Sequence, residues 1–492
     1  MGWHERHRIY IIGAGIAGVS ICKELKSKGI FGKVVAFLDD DPAKIGKLID
    51  SVPVIGPLDH ISGLINPNPD DEAVIAIPSG TKDQLKRIYS YLKQARFSRI
   101  KIIPRISQIL EDEAHLIQTR EVNPQDLLIR TPHKVNLKQS ISYLRNKRVL
   151  ITGAGGSIGS ELSRQLLSAG AQRLYLFGHG ENSIYEITRE LKLLQEEGVG
   201  EKATIVPVLG ELQDSDFVSF IINRLKADAV FHTAAHKHVP LLEENPVEAI
   251  KNNVFGTRNL VLACLKAEIS RFVLISTDKA VEPCNVYGVS KFLAEEIVLE
   301  QNKRGRHFMI VRFGNVLGSR GSIVPLFQDQ IKKGGPVTVT SPEIARYFMT
   351  IPEAASLVLK AAGLDLPTDL LVLDMGQPVN IKELAEKIIT FYGFEPERDI
   401  KIDIVGLRPG EKMHEKLFAE YEEASPSPFE NIMQIRRSEV LKVSLDDLLT
   451  QLRPICFLDK ANPEAFRNRQ LLKNVLSQTI PYYKAGNYEP PY

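Results

Sequence analysis

The sequence predicts an α/β fold of two tandem doubly wound parallel sheets, the second bearing a smaller C-terminal α/β lobe. Three observations carry this expectation. Apolar runs rich in Val, Ile and Leu alternate with helical patterns, as strands covered on both faces require. Two of those runs lead directly into a glycine-rich turn and then a helix, the opening of a Rossmann-type unit. The pattern starts near residue 8 and restarts near 147, a spacing far beyond the roughly 20–50 residues of a solenoid repeat.

The first unit, expected over 1–120, opens on RIYIIGAGIAG (8–18), continues through a helical SICKELKSKG, and adds the strands VVAFLDDD (34–41) and AVIAIPSG (73–80). A polar stretch with NPQD and RTPHK reads as a linker with short helices, 121–146. The second unit, 147–457, restarts with KRVLITGAGGSIGSELSRQLLSAG (147–170). It continues through RLYLFGHGE (173–181), ATIVPVLGEL (203–212), DAVFHTAAH (228–236) and RFVLIST (271–277). After about Arg312 the alternation fades, and the residues to 457 read as a smaller α/β lobe. The end, 458–492, reads as a helical segment and a Tyr/Pro-rich tail that is ordered only by docking, if at all.

Composition narrows the class. At roughly 150 residues per domain, 492 residues are too many for one ordinary core. Sixty-two Lys and Arg against 60 Asp and Glu leave +2, too even a balance to advertise a nucleic acid or a membrane surface. Hydrophobic residues at 43% and charged residues at 25% exclude wholesale disorder. Cys22, Cys264, Cys284 and Cys456 form no CxxC pair, so neither a disulfide framework nor a zinc ribbon fits, and a reducing cytoplasm is expected. The longest uncharged run, Ile9 to Cys22, falls short of the ~18 apolar residues a membrane span needs. The start, MGWHERHR, lacks the apolar region of a secretory signal.

Two glycine turns are candidate phosphate cradles. Gly13, Gly15 and Gly18 give G-x-G-x-x-G between a strand and a helix, and Asp39 ends the next apolar run, where a carboxylate can hold a ribose hydroxyl. This first cradle is a second nucleotide site, or a module of the same shape that binds nothing or only senses a nucleotide. The other cradle, Gly153, Gly156, Ser157, Ile158 and Gly159 after the strand RVLI, is expected to hold the cofactor. At the end of the following strand stand Gly178 and His179 where an NAD site would carry an acid. A missing carboxylate removes repulsion against a 2′-phosphate, so NADP is favoured with NAD possible; alternatively Glu181 reaches the ribose.

Chemistry concentrates downstream. Tyr287 and Lys291 are four apart and share a helical face, so an ammonium is expected beneath the phenol, lowering its pKa and making it a base for a hydroxyl that loses hydride. Ser276, Thr277, Asp278 and Lys279 end the strand RFVLIST, at the carboxyl edge where α/β sheets bind ligands. Hydride transfer alone does not need the extra Asp-Lys pair. Elimination does, because one group removes a carbon-bound proton and another protonates a departing hydroxyl. Lys237 and His238, in the basic stretch 232–246, are placed to meet a diphosphate.

These residues resemble the extended short-chain dehydrogenase/reductases, and more narrowly the bacterial polysaccharide-biosynthesis nucleotide-sugar epimerases and dehydratases typified by UDP-N-acetylglucosamine 4,6-dehydratase. The matching strings are TGAGGSIGSEL (152–162), GENSIYEI (180–187), AAHKHVPL (234–241), NNVFGT (252–257) and STDKAVEPCNVYGVSK (276–291). RFGNVLGSRGSIVPLF (312–327), RYFMTIPEA (346–354) and GLRPGEKMHEKL (406–417) complete the series, in the family's order. The first unit is similar to the Rossmann-like domain that precedes the catalytic domain in longer members.

The resemblance implies that Tyr287, helped by Lys291, removes the proton of the carbon-4 hydroxyl while hydride passes to NADP+. Lys279 then takes the carbon-5 proton, Asp278 protonates the carbon-6 hydroxyl, hydride returns to carbon 6, and Thr277 holds the carbon-4 oxygen. Glu211, Leu212, Ala234, Ala235 and Lys237 join the cradle around the cofactor; His238, Asn315, Arg320, Arg408 and Glu411 surround the nucleotide sugar. A homo-oligomer without a metal is implied. The chain departs from the family in lacking membrane helices, in keeping Tyr287 where many long members have Met, and in Gly178, Glu211 and Ile344-Ala345-Arg346, which replace a common Asp, Asp and MTR. An epimerase of the same fold, which omits water loss, and a nucleotide-sensing scaffold without turnover stay open as alternatives.

Overall fold

The computed structural model describes residues 7–28, 32–77, 80–103, 120–121, 141–303, 308–364, 366, 369–438 and 440–486. Most of the expected 121–146 linker and the last residues of the Tyr/Pro-rich tail lie outside them. The chain forms two compact units, Met1–Gln139 with Leu193–Glu201, and Ser140–Lys192 with Lys202–Tyr492.

The first unit has a seven-stranded sheet ordered Leu48–Ile49, Val52–Ile55, Lys33–Leu38, Arg8–Ile12, Glu72–Ile75, Arg99–Ile102 and Arg120–Glu121. Inner pairs are parallel and the two outermost pairs antiparallel. Ile9, Ile11 and Ile12 are buried, which explains why that strand reads as an unbroken apolar run. Gly13 turns the chain into helix Ile16–Lys28 at φ +100, and a Cβ there would sit 2.7 Å from Ile77 Cγ1. A Cβ on Gly18 would lie 2.0 Å from the Gly13 carbonyl, so only glycine lets this helix approach the turn.

In the second unit seven parallel strands run in the order Thr204–Leu209, Arg173–Gly178, Arg148–Thr152, Ala229–His232, Arg271–Thr277, Phe308–Phe313 and Leu370–Leu373. Strand order reverses at Arg148–Thr152, and the crevice at the carboxyl end of such a switch point is where doubly wound sheets bind ligands. Val149, Leu150, Ile151, Phe272, Val273 and Leu274 are fully buried.

The chain after Arg312 divides between two places instead of forming one separate lobe. Leu370–Leu373 extends the main sheet, and the antiparallel strands Ile432–Arg437 and Glu422–Pro426 finish it. Three short pairs form the smaller lobe: Asn315–Leu317 with Phe348–Thr350, Val337–Val339 with Ile402–Ile404, and Ala345–Arg346 with Val379–Asn380. Thr350 and Glu353 close a capping box on helix Ile351–Ala361, where two orphan amides find partners.

A fully buried charge cluster holds the added strands to the sheet. Arg312 donates to Glu295 Oε2 at 2.8 Å, to both Glu422 oxygens at 2.9 and 3.0 Å, and to the Leu417 carbonyl at 3.1 Å. Arg437 bonds Glu422 and Glu295, and Ser276 donates its hydroxyl to Glu295.

Candidate active site

The second cradle is built by close packing. Gly153 leaves the strand at φ +66, and a Cβ on it would meet the Ala234 amide at 2.8 Å; one on Gly159 would meet the Gly153 carbonyl at 2.3 Å. Gly156 precedes helix Ser157–Ser168, whose first amides face away from the helix body and suit a phosphate. Beneath the turn, the buried His232 ring bridges Thr152 Oγ1 at 2.7 Å and Thr257 Oγ1 at 2.9 Å. Burial, reinforced by Lys291, lowers His232 to about 3, so it is a neutral brace.

The turn opens into a cavity of about 800 Å³ lined by residues of the second unit. Of the expected residues, Gly156, Ser157, Ile158, Gly159, Ala235, Lys237, His238, Thr277, Lys279, Tyr287, Lys291, Asn315, Arg408 and Glu411 line it. Gly153, Leu212, Ala234 and Asp278 are not among the lining residues, and Leu212 and Asp278 are buried. His179 and Glu211 are exposed, with the His179 ring 6.3 Å from that of His236, a lining residue. Arg320 is placed differently from expectation. Its guanidinium pairs with Glu186 at 3.1 Å on the surface and is absent from the lining, although its amide donates to Ser157 Oγ at 3.3 Å.

Helix Val286–Lys303 carries Tyr287 and Lys291 to the end of strand Arg271–Thr277. The expected phenol-ammonium relation takes another form. Lys291 Nζ donates to the Ile275 carbonyl at 2.7 Å, and burial, offset in part by Glu295, lowers it to about 8. Burial raises Tyr287 to about 12, and the cation that opposes this rise is Lys279, with a hydrogen bond to Thr277 assisting. The i,i+4 spacing put both groups on one helix face, but the strand-end carbonyl captured the lysine.

Thr277, Asp278 and Lys279 cluster at that strand end. Lys279 Nζ donates to Asp278 Oδ1 and to Asn315 Oδ1, each at 3.0 Å, and Thr277 donates to Asp278 Oδ1 at 3.0 Å. Asp278 is fully buried and its Oδ2 has no hydrogen-bond partner among the described residues. Gly314 makes room for it, since a Cβ there would lie 2.9 Å from that oxygen. Burial pushes Lys279 down, but Asp278 and Glu415 outweigh it and hold the ammonium well above the ordinary lysine range.

Two charged residues escaped the sequence reading. Arg346, also in the lining, donates to the Lys412 and Met413 carbonyls at 2.6 and 3.0 Å and lies 3.4 Å from Glu411. Glu411 also accepts from Thr340 Oγ1 at 3.2 Å and the Arg408 amide at 3.1 Å. Glu415 reaches Lys279 from behind. Both sit inside family-like strings, but only folding shows which members of those strings turn inward.

In the first unit, Asp39 Oδ2 accepts from the Ala14 amide at 2.7 Å and its Oδ1 from the Asp41 amide at 2.9 Å. This carboxylate fastens the glycine turn. A Cβ on Gly15 would meet nothing within 4 Å. Among the described residues no cluster of His, Cys, Asp and Glu could hold a metal, and no helix is long and apolar enough to cross a membrane.

A switch-point glycine cradle, a Tyr/Lys helix and an added α/β lobe define a Rossmann-type enzyme scaffold of the extended short-chain dehydrogenase/reductase kind. Residues 149–437 match the family described as polysaccharide biosynthesis protein, and the chain belongs to that family of nucleotide-sugar epimerases and dehydratases. It is 41% identical over 452 residues to the capsular polysaccharide biosynthesis protein CapD of Staphylococcus aureus, covering 91% of this chain and 74% of that one. It is 29% identical over 298 residues to the inverting UDP-N-acetylglucosamine 4,6-dehydratase of Campylobacter jejuni strain 81-176 (59% and 83% covered). Against the UDP-glucose 4-epimerase of Rickettsia canadensis, identity is 31% over 284 residues (55% and 77% covered). The X-ray structure of Pen from Bacillus thuringiensis superposes with a TM-score of 0.53 at 33% identity, covering 60% of this chain and 88% of that one.

Proposed function

We propose that the protein is a nucleotide-sugar 4,6-dehydratase acting on UDP-N-acetylglucosamine in surface polysaccharide synthesis, with a nicotinamide dinucleotide, NADP in preference to NAD, in the second cradle. The observation that carries this reading is Lys279, which lines the cavity with Tyr287 and is paired with the buried Asp278 outside the lining. The cradle suits a dinucleotide because its glycines let the turn pack closely and bring the start of helix Ser157–Ser168 to the cavity, where its first amides suit a phosphate. When bound, the cofactor supplies the acceptor and donor of hydride.

The chain's own groups handle the protons. Tyr287 takes the proton of the carbon-4 hydroxyl as its phenolate, with Thr277 at the same oxygen. That phenolate must first form by loss of the phenol's own proton, against a pKa that burial raises to about 12. The resulting ketone acidifies the proton on carbon 5. Lys279 must be a free amine to remove it, and Asp278 must be protonated to release the carbon-6 hydroxyl as water. Their 3.0 Å contact lets one proton serve both needs. Shifting it from Nζ to Oδ1 gives amine and acid; elimination then puts a proton on the amine and takes one from the acid, restoring the ion pair. Arg346, Arg408 and Lys237 supply positive charge for a diphosphate, where Arg suits paired phosphate oxygens.

The test is incubation with UDP-N-acetylglucosamine followed by mass spectrometry. Loss of one water from the intact nucleotide sugar supports the reading. An unchanged mass with a new stereoisomer supports the epimerase that the Rickettsia relative's name suggests. Cofactor choice has its own test. Gly178→Asp needs the Ile184 side chain to give by a few tenths of an ångström, because the new Cβ would lie 3.0 Å from its Cδ1 and 3.3 Å from its Cγ1. The added carboxylate repels a 2′-phosphate, so the NADP/NAD binding ratio is expected to fall by roughly tenfold or more; titration of both dinucleotides measures it.

A further inference from the structure

Glu415 lies in the irregular segment after strand Ile402–Ile404, and nothing in a nucleotide-sugar reaction requires a second acid beside Lys279. Its side chain is only 4% exposed. One carboxylate oxygen stands 3.8 Å from Lys279 Nζ; the other is buried, without a hydrogen-bond partner among the described residues, and 3.9 Å from Lys412 Nζ. The segment is held from several sides. Asn285 donates to the Gly410 carbonyl at 2.8 Å, Arg346 to the Lys412 and Met413 carbonyls, and Arg312 to that of Leu417. Lys412 in turn donates to the Val281 carbonyl at 2.7 Å. A buried acid fixed this firmly, with one oxygen unsatisfied, costs stability unless it serves something.

We propose that Glu415 is a positioning residue for Lys279: its charge keeps the ammonium as the resting form of the Asp278-Lys279 pair and sets how readily the amine is released for elimination. This rests on the dehydratase reading for its purpose but not for its measurement. The groups facing Lys279 are Asp278 from its own turn, Tyr287 from the catalytic helix, and Asn315 from its short strand. Glu415 faces it from the 408–417 segment, with Lys412 3.9 Å from Glu415 and Cys284 close to both. Asp278 cannot hold the ammonium alone throughout a cycle, because it is neutral whenever it is about to protonate the leaving hydroxyl. At that stage Glu415 is the carboxylate left beside Nζ, and it draws the proton back once carbon 5 has given one up. Lys412 shares the charge of Glu415 and moderates the effect.

Competitive acetylation of the full chain with acetic anhydride near pH 9 reads the free-amine fraction of Lys279 by mass spectrometry, with the exposed Lys266 as reference. An opposing charge at this distance shifts a group by one unit or more, so Glu415→Gln is expected to raise relative Lys279 labelling by about tenfold or more. Glu415→Asp, which keeps the charge, is expected to stay near the native rate. If Glu415→Gln does not fold, Lys412→Met reads the same charge from the other side, and Lys279 labelling is expected to fall. Unchanged labelling in whichever variant folds overturns the proposal. Where turnover is measured, the alkaline limb of water loss moves to lower pH in Glu415→Gln while KM stays; an equal fall at every pH would show a merely structural role. Failure of the native chain to dehydrate any nucleotide sugar overturns the dehydratase reading and leaves the labelling result standing.

Discussion

Lys279→Ala is expected to slow water loss from the nucleotide sugar by roughly 10²–10⁴-fold, the range spanned by a positioned acid or base, while the dinucleotide stays bound. The separation follows from place. Lys279 bonds Asp278 and Asn315 at the end of strand Arg271–Thr277, whereas the cradle is closed by Gly153 and Gly159 at another strand end. The carboxylates Asp278 and Glu415 lose their shared cation in this variant, and Lys279→Met, which loses the same cation but refills the volume, separates the charge from the cavity. Product mass and retained cofactor are measured on the same sample. Water loss within tenfold of the native rate would place the carbon-5 base elsewhere. Loss of the cofactor together with activity would show that the two regions are not independent.

Arg312→Met is expected to cost about 3–5 kcal/mol of folding stability, the loss seen when one member of a buried ion pair is removed and its partners remain. Arg312, Glu295 and Glu422 are all without solvent exposure, so water cannot replace the guanidinium. Urea unfolding monitored by circular dichroism checks the size. The pH dependence has a definite sign. Burial pushes Glu295 up, but Arg312 and Arg437 outweigh it and bring it down to about 2. A carboxylate depressed in the folded state contributes stability that is full above the ordinary glutamate range and fades as pH falls toward 2. Arg312→Met should flatten that acid limb, leaving Arg437 as the remaining cation. A stability loss under 1 kcal/mol, or an unchanged acid limb, would mean that Arg437 alone suffices.

Much of the fold was legible because parallel strands buried on both faces leave an unmistakable pattern. Val149–Ile151 and Phe272–Leu274 read as strands from composition alone, and Gly153 and Gly159 announce a turn that only glycine can make. The late strands were not legible. Glu422–Pro426 reads EEASP, which has no apolar alternation, because the strand lies at the outer edge of the sheet and is mostly exposed. Site residues were legible where local order set their place, as with Asp278 and Lys279 at a strand end. Tertiary competition hid the rest. Lys291 went to the Ile275 carbonyl, Arg320 to Glu186, and Asp39 to the Ala14 amide. Each is a choice between partners distant in the chain, and spacing holds no record of it.

The buried charge cluster also dictates an order of events during synthesis. Arg312 leaves the ribosome before Glu422, its partner 110 residues later, and before Arg437, which completes the set. Until then the strand Phe308–Phe313 carries a guanidinium that cannot enter a dry interior with Glu295 alone to satisfy it. Closure of the main sheet therefore waits for the last quarter of the chain, a long-range contact of the kind that slows folding. A nascent chain halted before residue 437 would expose an open sheet edge beside Leu370–Leu373, a template for aggregation. The cradle and the helix that carries Tyr287 thus emerge first, while the keystone that locks the sheet behind them comes off the ribosome well after both.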